Sequence, residues 1–420
     1  MTHWHLTSLT DRKRVKWQKE VLDLLIVKTP FPRRQFLKLM GTSLLSYFLQ
    51  QCGLRPSTME TPTEIATFLP NAMQTATVAQ SATAVPSQAP PPQPTTTPDY
   101  RSLAAIGQIS AYEIAQLRQK LQEMFQQLGG LADIIRPGAR VIIKPNLTGN
   151  TWSDATLPAP ATELFVTHPT LVQALAELLI DAGAGQIRIV DGIGDEAIFR
   201  AWGYEDVASR VNAELVDLCK PNPYSDFTSF PVGAGRQIYD IFYMNGALKE
   251  ADVFISLAKM KCHSTTGVTL SLKNLIGLAP ISLYRRDESH NHRSAFHDST
   301  VYDQRLPRVV IDMNLARPVH LALVDGIKTV EGGAGAWDAG YNPIQPGLLV
   351  AGRNPVVTDA VSAALMGFDP DAPSGSYPFS YADNHLLLAR EAGLGTNRLS
   401  EIGVVGAEIA GNVFSFRTAR

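Results

Sequence analysis

Four short runs of aliphatic residues dominate the middle of the sequence, and each of them stops on polar groups. Val141-Ile142-Ile143 stops at Lys144-Pro145-Asn146, and Ile187-Arg188-Ile189-Val190 stops at Asp191-Gly192-Ile193-Gly194-Asp195. Val253 to Leu257 leads into Lys259-Met260-Lys261-Cys262-His263, and Leu321 to Val324 into Asp325-Gly326, followed by Glu331-Gly332-Gly333. Runs this apolar suit strands buried on both faces, as in a parallel sheet covered by helices. Helical patterns lie between them. His168 to Ala182 places Leu171, Leu175, Leu178 and Leu179 on one face, with Pro169 in the first turn and Gly183 as the stop. Ala111 to Leu128 predicts a helix before the first strand, and Val356 to Met366 another after the run Leu348 to Val350. The expected fold is α/β over residues 100–420: a mostly parallel, Rossmann-like layered sheet with flanking helices, preceded by a disordered N-terminal region.

In open α/β sheets ligands bind beyond the carboxyl ends of the strands. Four parallel strands would bring lysines, carboxylates, an amide and an imidazole to one rim. The expected roles follow from residue chemistry. Lys144, Asn146, Lys273 and Asn274 would bind a small anionic substrate. Lys259, Lys261 and His263 would act on it, with Asp191, Asp325 and Glu331 orienting the histidine or holding a divalent metal. Lys259, Lys261 and His263 alternate along one segment, so all three can share a side. A second polar group lies between Arg285 and Asp303, where His290, His292 and His297 have a spacing compatible with one metal ion. The stretch Gly332-Gly333-Ala334-Gly335 is neither a Walker A loop nor a dinucleotide fingerprint, and reads as a loop or lid. Cys262 and Cys219 read as buried fillers. With three cysteines and no Cys-x-x-Cys, the chain is not expected to ligate an iron–sulfur cluster.

Charge divides the sequence. Residues 1–55 hold 10 Lys+Arg against 3 Asp+Glu, a net of +7; the formal total of -2 leaves -9 for the rest. Nothing in that balance favours nucleic acid as a partner. The basic head contains Arg33-Arg34-Gln35-Phe36-Leu37-Lys38, followed by the uncharged stretch Leu39 to Leu49. This resembles a twin-arginine export signal. Cys52 follows Leu49 by three positions and is the expected site of lipidation, so residues 1–52 read as an export signal and anchor. Residues 53–99 read as a linker: Pro, Thr, Ala and Ser make up 29 of the 44 residues from 55 to 98, and none from 65 to 98 is charged. The export machinery and the membrane are the expected partners, and the expected location is extracytoplasmic or periplasmic, on the outer face of the membrane.

The body resembles a bacterial and archaeal family called domain of unknown function 362. The resemblance runs from about Val141 to Pro370. It is carried by Lys144-Pro145-Asn146, His168-Pro169, Ala251-Asp252, the Lys259 to His263 motif, Thr265-Thr266-Gly267, Lys273-Asn274-Leu275-Ile276-Gly277, Asp325-Gly326, Glu331-Gly332 and Asp359-Ala360-Val361. Some relatives carry ferredoxin-like cysteine clusters that this chain lacks. The functional expectation is an exported, tethered enzyme acting on a small anion. The alternatives are a metal- or anion-binding protein, or a redox accessory protein, without catalysis of its own.

Overall fold

The structure is a computed structural model and describes residues 99–298 and 302–418. The arginine pair, Cys52 and all but the last residue of the linker lie outside the described residues. Eight strands form the central sheet: β1 (Leu103–Gln108), β2 (Arg140–Pro145), β3 (Gln186–Asp191), β4 (Glu214–Asp217), β7 (Val253–Lys259), β10 (Leu321–Gly326), β13 (Leu348–Gly352) and β14 (Gly403–Gly406). Three ribbons stand apart: β5 (Thr228–Pro231) with β6 (Ile241–Met244), β8 (Lys261–His263) with β9 (Gly267–Thr269), and β11 (Thr329–Glu331) with β12 (Asn342–Ile344). The sheet order is β14-β1-β13-β10-β7-β2-β3-β4. Seven strands point one way and β13 alone is reversed, pairing antiparallel with both β1 and β10.

The apolar runs are strands because both faces of the sheet are covered. Val141 and Ile143, Ile187 and Ile189, Val253, Ile255 and Leu257, and Leu321 and Leu323 all enter one core. The alternate residues Ile142, Val190, Phe254 and Ala322 enter another on the opposite face. This is the two-residue period of a strand. The first core is closed by α1 (Ile114–Gln127), α2 (Pro169–Asp181) and α3 (Tyr204–Val211) through Leu117, Leu121, Leu171, Leu175, Val207 and Val211. The other face is covered by α5 (Arg305–Ala316), α6 (Pro355–Leu365) and α7 (His385–Glu391), together with the short α4 (Ser271–Asn274).

Local chemistry sets the helix starts. His168 caps α2, its Nδ1 accepting from the Thr170 amide at 3.2 Å, and Pro169 occupies the first turn. Asn354 caps α6 and Asn384 caps α7 in the same way. The alternating run from Val268 to Leu272 does not form one extended segment. It breaks at Leu270 into α4, because the buried Asp359 carboxylate accepts the amides of Ser271 and Leu272, both at 2.8 Å. Cys219, expected to be a buried filler, lies in the turn after β4 and is only half-buried. No helix among the described residues is long and apolar enough to cross a membrane.

Candidate functional site

The ends of β2, β3, β7 and β10 do meet at one rim, and two buried ion pairs knit them together. Lys259 Nζ lies 3.0 Å from Asp325 Oδ2, and both side chains are fully buried. The same ammonium donates to Tyr112 Oη and to the Thr162 carbonyl, both at 3.2 Å. Asp325 also accepts from Tyr112 Oη at 2.8 Å and from the His168 amide at 3.1 Å. The second pair is Lys144 with Asp191, at 2.8 Å. Lys144 also donates to the Pro145 carbonyl and to Asn274 Oδ1, and Asp191 takes the amides of Leu147 and Gly192. Asn146 donates to the same Asn274 oxygen, while Asn274 Nδ2 donates to the Lys144 carbonyl and to Ser256 Oγ.

An ammonium has three protons, and Lys144 and Lys259 each spend all three on protein acceptors. In this structure the two lysines fasten strand ends to one another. Asp191 and Asp325 are their counter-charges and do not orient His263. Lys261 is also turned inward. Its ammonium donates to the carbonyls of Phe165 and Ala334, both at 2.8 Å, and burial with Lys273 and Lys259 nearby pushes its pKa well below the usual lysine value.

Lys273 differs from the other three. It sits in α4, half-buried, and its ammonium has no hydrogen-bond or ion-pair partner among the described residues. Burial, then Arg293 and Lys144, bring its pKa down to about 8. His263 faces the same region. Its Nδ1 accepts the amides of Thr265 and Thr266 at 3.1 and 3.2 Å, and burial followed by Lys273, His297, Lys261 and His385 pushes its pKa well below the ordinary imidazole value. His297 sits 2.9 Å from Asp303 Oδ2 through Nδ1. His385 is fully buried in the first turn of α7, with neither ring nitrogen hydrogen-bonded, and burial beside Lys273 lowers its pKa to about 3. The leading charges acting on Lys273 and His263 are cationic, a positive field that a bound anion would relieve.

Other expected residues lie elsewhere. The Glu331 carboxylate accepts the Arg417 amide at 2.9 Å and its guanidinium at 2.6 Å, tying down the C-terminal segment. His290 pairs with Asp287 at 2.9 Å, and its ring meets His292 edge-on at 5.5 Å. Among the described residues no group of three His, Cys, Asp or Glu side chains is placed to hold a metal ion. The glycine stretch is pinned rather than loose, with Ala334 accepting Lys261 and donating its amide to Asp338 at 2.6 Å. The sequence reading missed Tyr112, Asp303 and His385. Tyr112 stacks on His168 at 3.7 Å between ring centres, which sets its hydroxyl over Asp325.

A thylakoid-associated protein of Synechocystis sp. is 26% identical over 268 residues, which cover 62% of this chain and 73% of that protein. A solved structure of a Thermotoga maritima protein superposes with a TM-score of 0.29 at 8% identity; the match covers 55% of this chain and about half (53%) of that one. The family described as a domain of unknown function, DUF362, matches residues 141–364, the stretch that contains both buried ion pairs, His263 and Lys273, and on that match the chain belongs to the DUF362 family.

Proposed function

We propose that this chain is an exported, membrane-tethered protein whose rim holds a small anion at Lys273 and His263, and that it acts on that anion as an enzyme. The observation that carries the reading is the Lys273 ammonium, which has no hydrogen-bond or ion-pair partner among the described residues, while Arg293 and Lys144 act on it and its own charge acts on His263 and His385. A half-buried cation without a counter-charge is costly, and an anionic ligand supplies the missing charge. His263, on which the Lys273 charge acts, is a group able to move a proton.

The test is a thermal-shift titration with phosphate, sulfate and small dicarboxylates. A ligand at a hundred times its dissociation constant stabilises by about 2.7 kcal/mol, which is a rise of several degrees. The wild type is expected to show that rise with at least one of these anions, and Lys273→Met is expected to lose it while melting within a few degrees of the wild type in buffer alone. A wild type indifferent to every anion would overturn the reading.

The location rests on Arg33-Arg34 with Phe36-Leu37-Lys38, on Cys52 and on the uncharged spacer, and agrees with the thylakoid association named for the Synechocystis protein. Replacing Arg33 and Arg34 by Lys is expected to leave the protein in the cytoplasmic fraction. Unchanged export would sink the routing, and wild-type protein free in the soluble extracytoplasmic fraction would sink the tether.

A further inference from the structure

We propose that the cleft beside the C-terminal segment binds a small planar aromatic monocarboxylate, with Arg417 holding the carboxylate and Tyr377 the ring. The cleft encloses about 440 Å³ and is lined by Gly332, Ala339, Gly340, Tyr377, Arg417 and Thr418. Neither Lys273 nor His263 lines it, so the inference stands apart from the anion reading of the rim.

Arg417 is fixed everywhere except at the end of its side chain. Its amide donates to Glu331 Oε2 at 2.9 Å and its Nε to Oε1 at 2.6 Å. Its carbonyl accepts the Gly332 amide at 2.9 Å and the Cys262 thiol at 3.0 Å. A guanidinium has five N–H donors in one plane, and Nε accounts for one. The four on Nη1 and Nη2 have no partner among the described residues. Nη2 lies 3.7 Å from the place a Cβ on Gly332 would take, against the cleft wall. Tyr377 is fixed as well. Its ring stands edge-on to Phe368 at 5.4 Å between centres, and its hydroxyl donates to the Phe416 carbonyl at 3.3 Å. Even so the residue is 55% exposed. The rest of the wall stays bare. Gly332 and Gly340 have φ of +73° and +84°, where a side chain is strained, and nothing lies within 4 Å of the Cβ position of Gly340.

These features select a ligand class. The open edge of a guanidinium matches the two oxygens of a carboxylate, which it takes as a parallel pair of hydrogen bonds. The tyrosine ring favours a flat partner over a puckered one. Charge limits the ligand to one carboxylate. Glu331 already pairs with Arg417, and Asp338 lies in the same loop, its Oδ2 accepting the Ala334 amide at 2.6 Å. A second negative charge on the ligand would meet these two.

The experiment is a ligand-observed NMR titration of the full chain at neutral pH with benzoate, benzamide and cyclohexanecarboxylate. Benzoate is expected to bind about tenfold tighter than benzamide, which has no charge, and about threefold tighter than cyclohexanecarboxylate, which is not flat. Arg417→Lys keeps an ammonium for Glu331 and removes the fork, and is expected to weaken benzoate about tenfold. Tyr377→Leu is expected to erase the preference for benzoate over cyclohexanecarboxylate. Ala339→Trp, at an exposed position of the wall, is expected to fill the cleft and abolish binding. Phosphate, the probe for Lys273, is expected not to displace benzoate. No binding of benzoate, equal affinities for the three compounds, or binding that survives Ala339→Trp would overturn the proposal. Displacement by phosphate would put the carboxylate at the rim and overturn it too. If Arg417→Lys does not fold, the wild-type affinities and Ala339→Trp decide.

Discussion

An Asp325→Leu variant is expected to lose about 3–5 kcal/mol of stability, the usual cost of stripping one partner from a buried ion pair. The loss has four parts, one of them the Ile327 amide left without its acceptor. Lys259 keeps only neutral acceptors, the Tyr112 hydroxyl and the Thr162 carbonyl, inside a site sealed from water. The His168 amide, which starts α2, loses its acceptor. Tyr112 loses the carboxylate that receives its proton. Lys259→Met should cost less, because the remaining carboxylate still has Tyr112, the His168 amide and the Ile327 amide as donors. The double variant Lys259→Met/Asp325→Leu should recover part of the loss, since no lone charge remains buried. Urea midpoints for the three variants and the wild type give the order. A loss below about 1 kcal/mol for Asp325→Leu would show that the pair is only a surface-like contact.

Gly277→Ala is the second large effect, expected at about 3 kcal/mol by the same measurement, toward the upper end for an added methyl group in a packed site. A Cβ on Gly277 would stand 2.4 Å from Asp191 Oδ1 and 2.7 Å from Lys144 Nζ. Neither atom can retreat, because each is held by its own hydrogen bonds to the backbone. Gly277 also receives the Gly192 amide at 2.9 Å, and a Cβ on Gly192 would stand 2.4 Å from that carbonyl. The two glycines are where backbone meets backbone over an ion pair, and the need is for space. Gly411→Ala is the control: nothing lies within 4 Å of its Cβ position, and the change should stay within about 0.5 kcal/mol. A Gly277→Ala protein as stable as this control would refute the close approach.

The sheet was legible because Val141 to Ile143, Val253 to Leu257 and Leu321 to Val324 are apolar on both faces, and such runs have few places to go except between two helical layers. Direction was not legible. Leu348 to Val350 looks like the other runs, and only its neighbours show that β13 points backwards. The rim was legible for a similar reason, since charged groups at strand ends must gather where the strands end. What each charge does there was not. Lys144 and Lys259 look in sequence like free cations, and Asp191 and Asp325 are their partners from 47 and 66 residues away. Lys273 looked like an extension of the same surface and is instead the ammonium left unpaired. His385 opens a Leu-rich helix and reads as an ordinary first-turn residue; its burial depends on Phe379, whose ring stands edge-on to it at 6.0 Å. Asp303 reads as a loop aspartate until its backbone donors are seen.

The segment around Phe165 and the loop from Glu331 to Tyr341 are joined by three bonds of different character. Lys261 bridges their carbonyls from within, Phe165 and Tyr341 meet edge to face at 4.8 Å, and Lys328 reaches Glu163 at 2.9 Å across the outside. No single change of medium loosens all three. Salt screens the half-buried Lys328–Glu163 bridge more than the sealed ammonium of Lys261, while a solvent that weakens the aromatic contact does not displace carbonyls from Lys261. The two segments therefore stay joined in any medium that loosens only one of these contacts, and Lys261 at the rim has carbonyls of both as its acceptors.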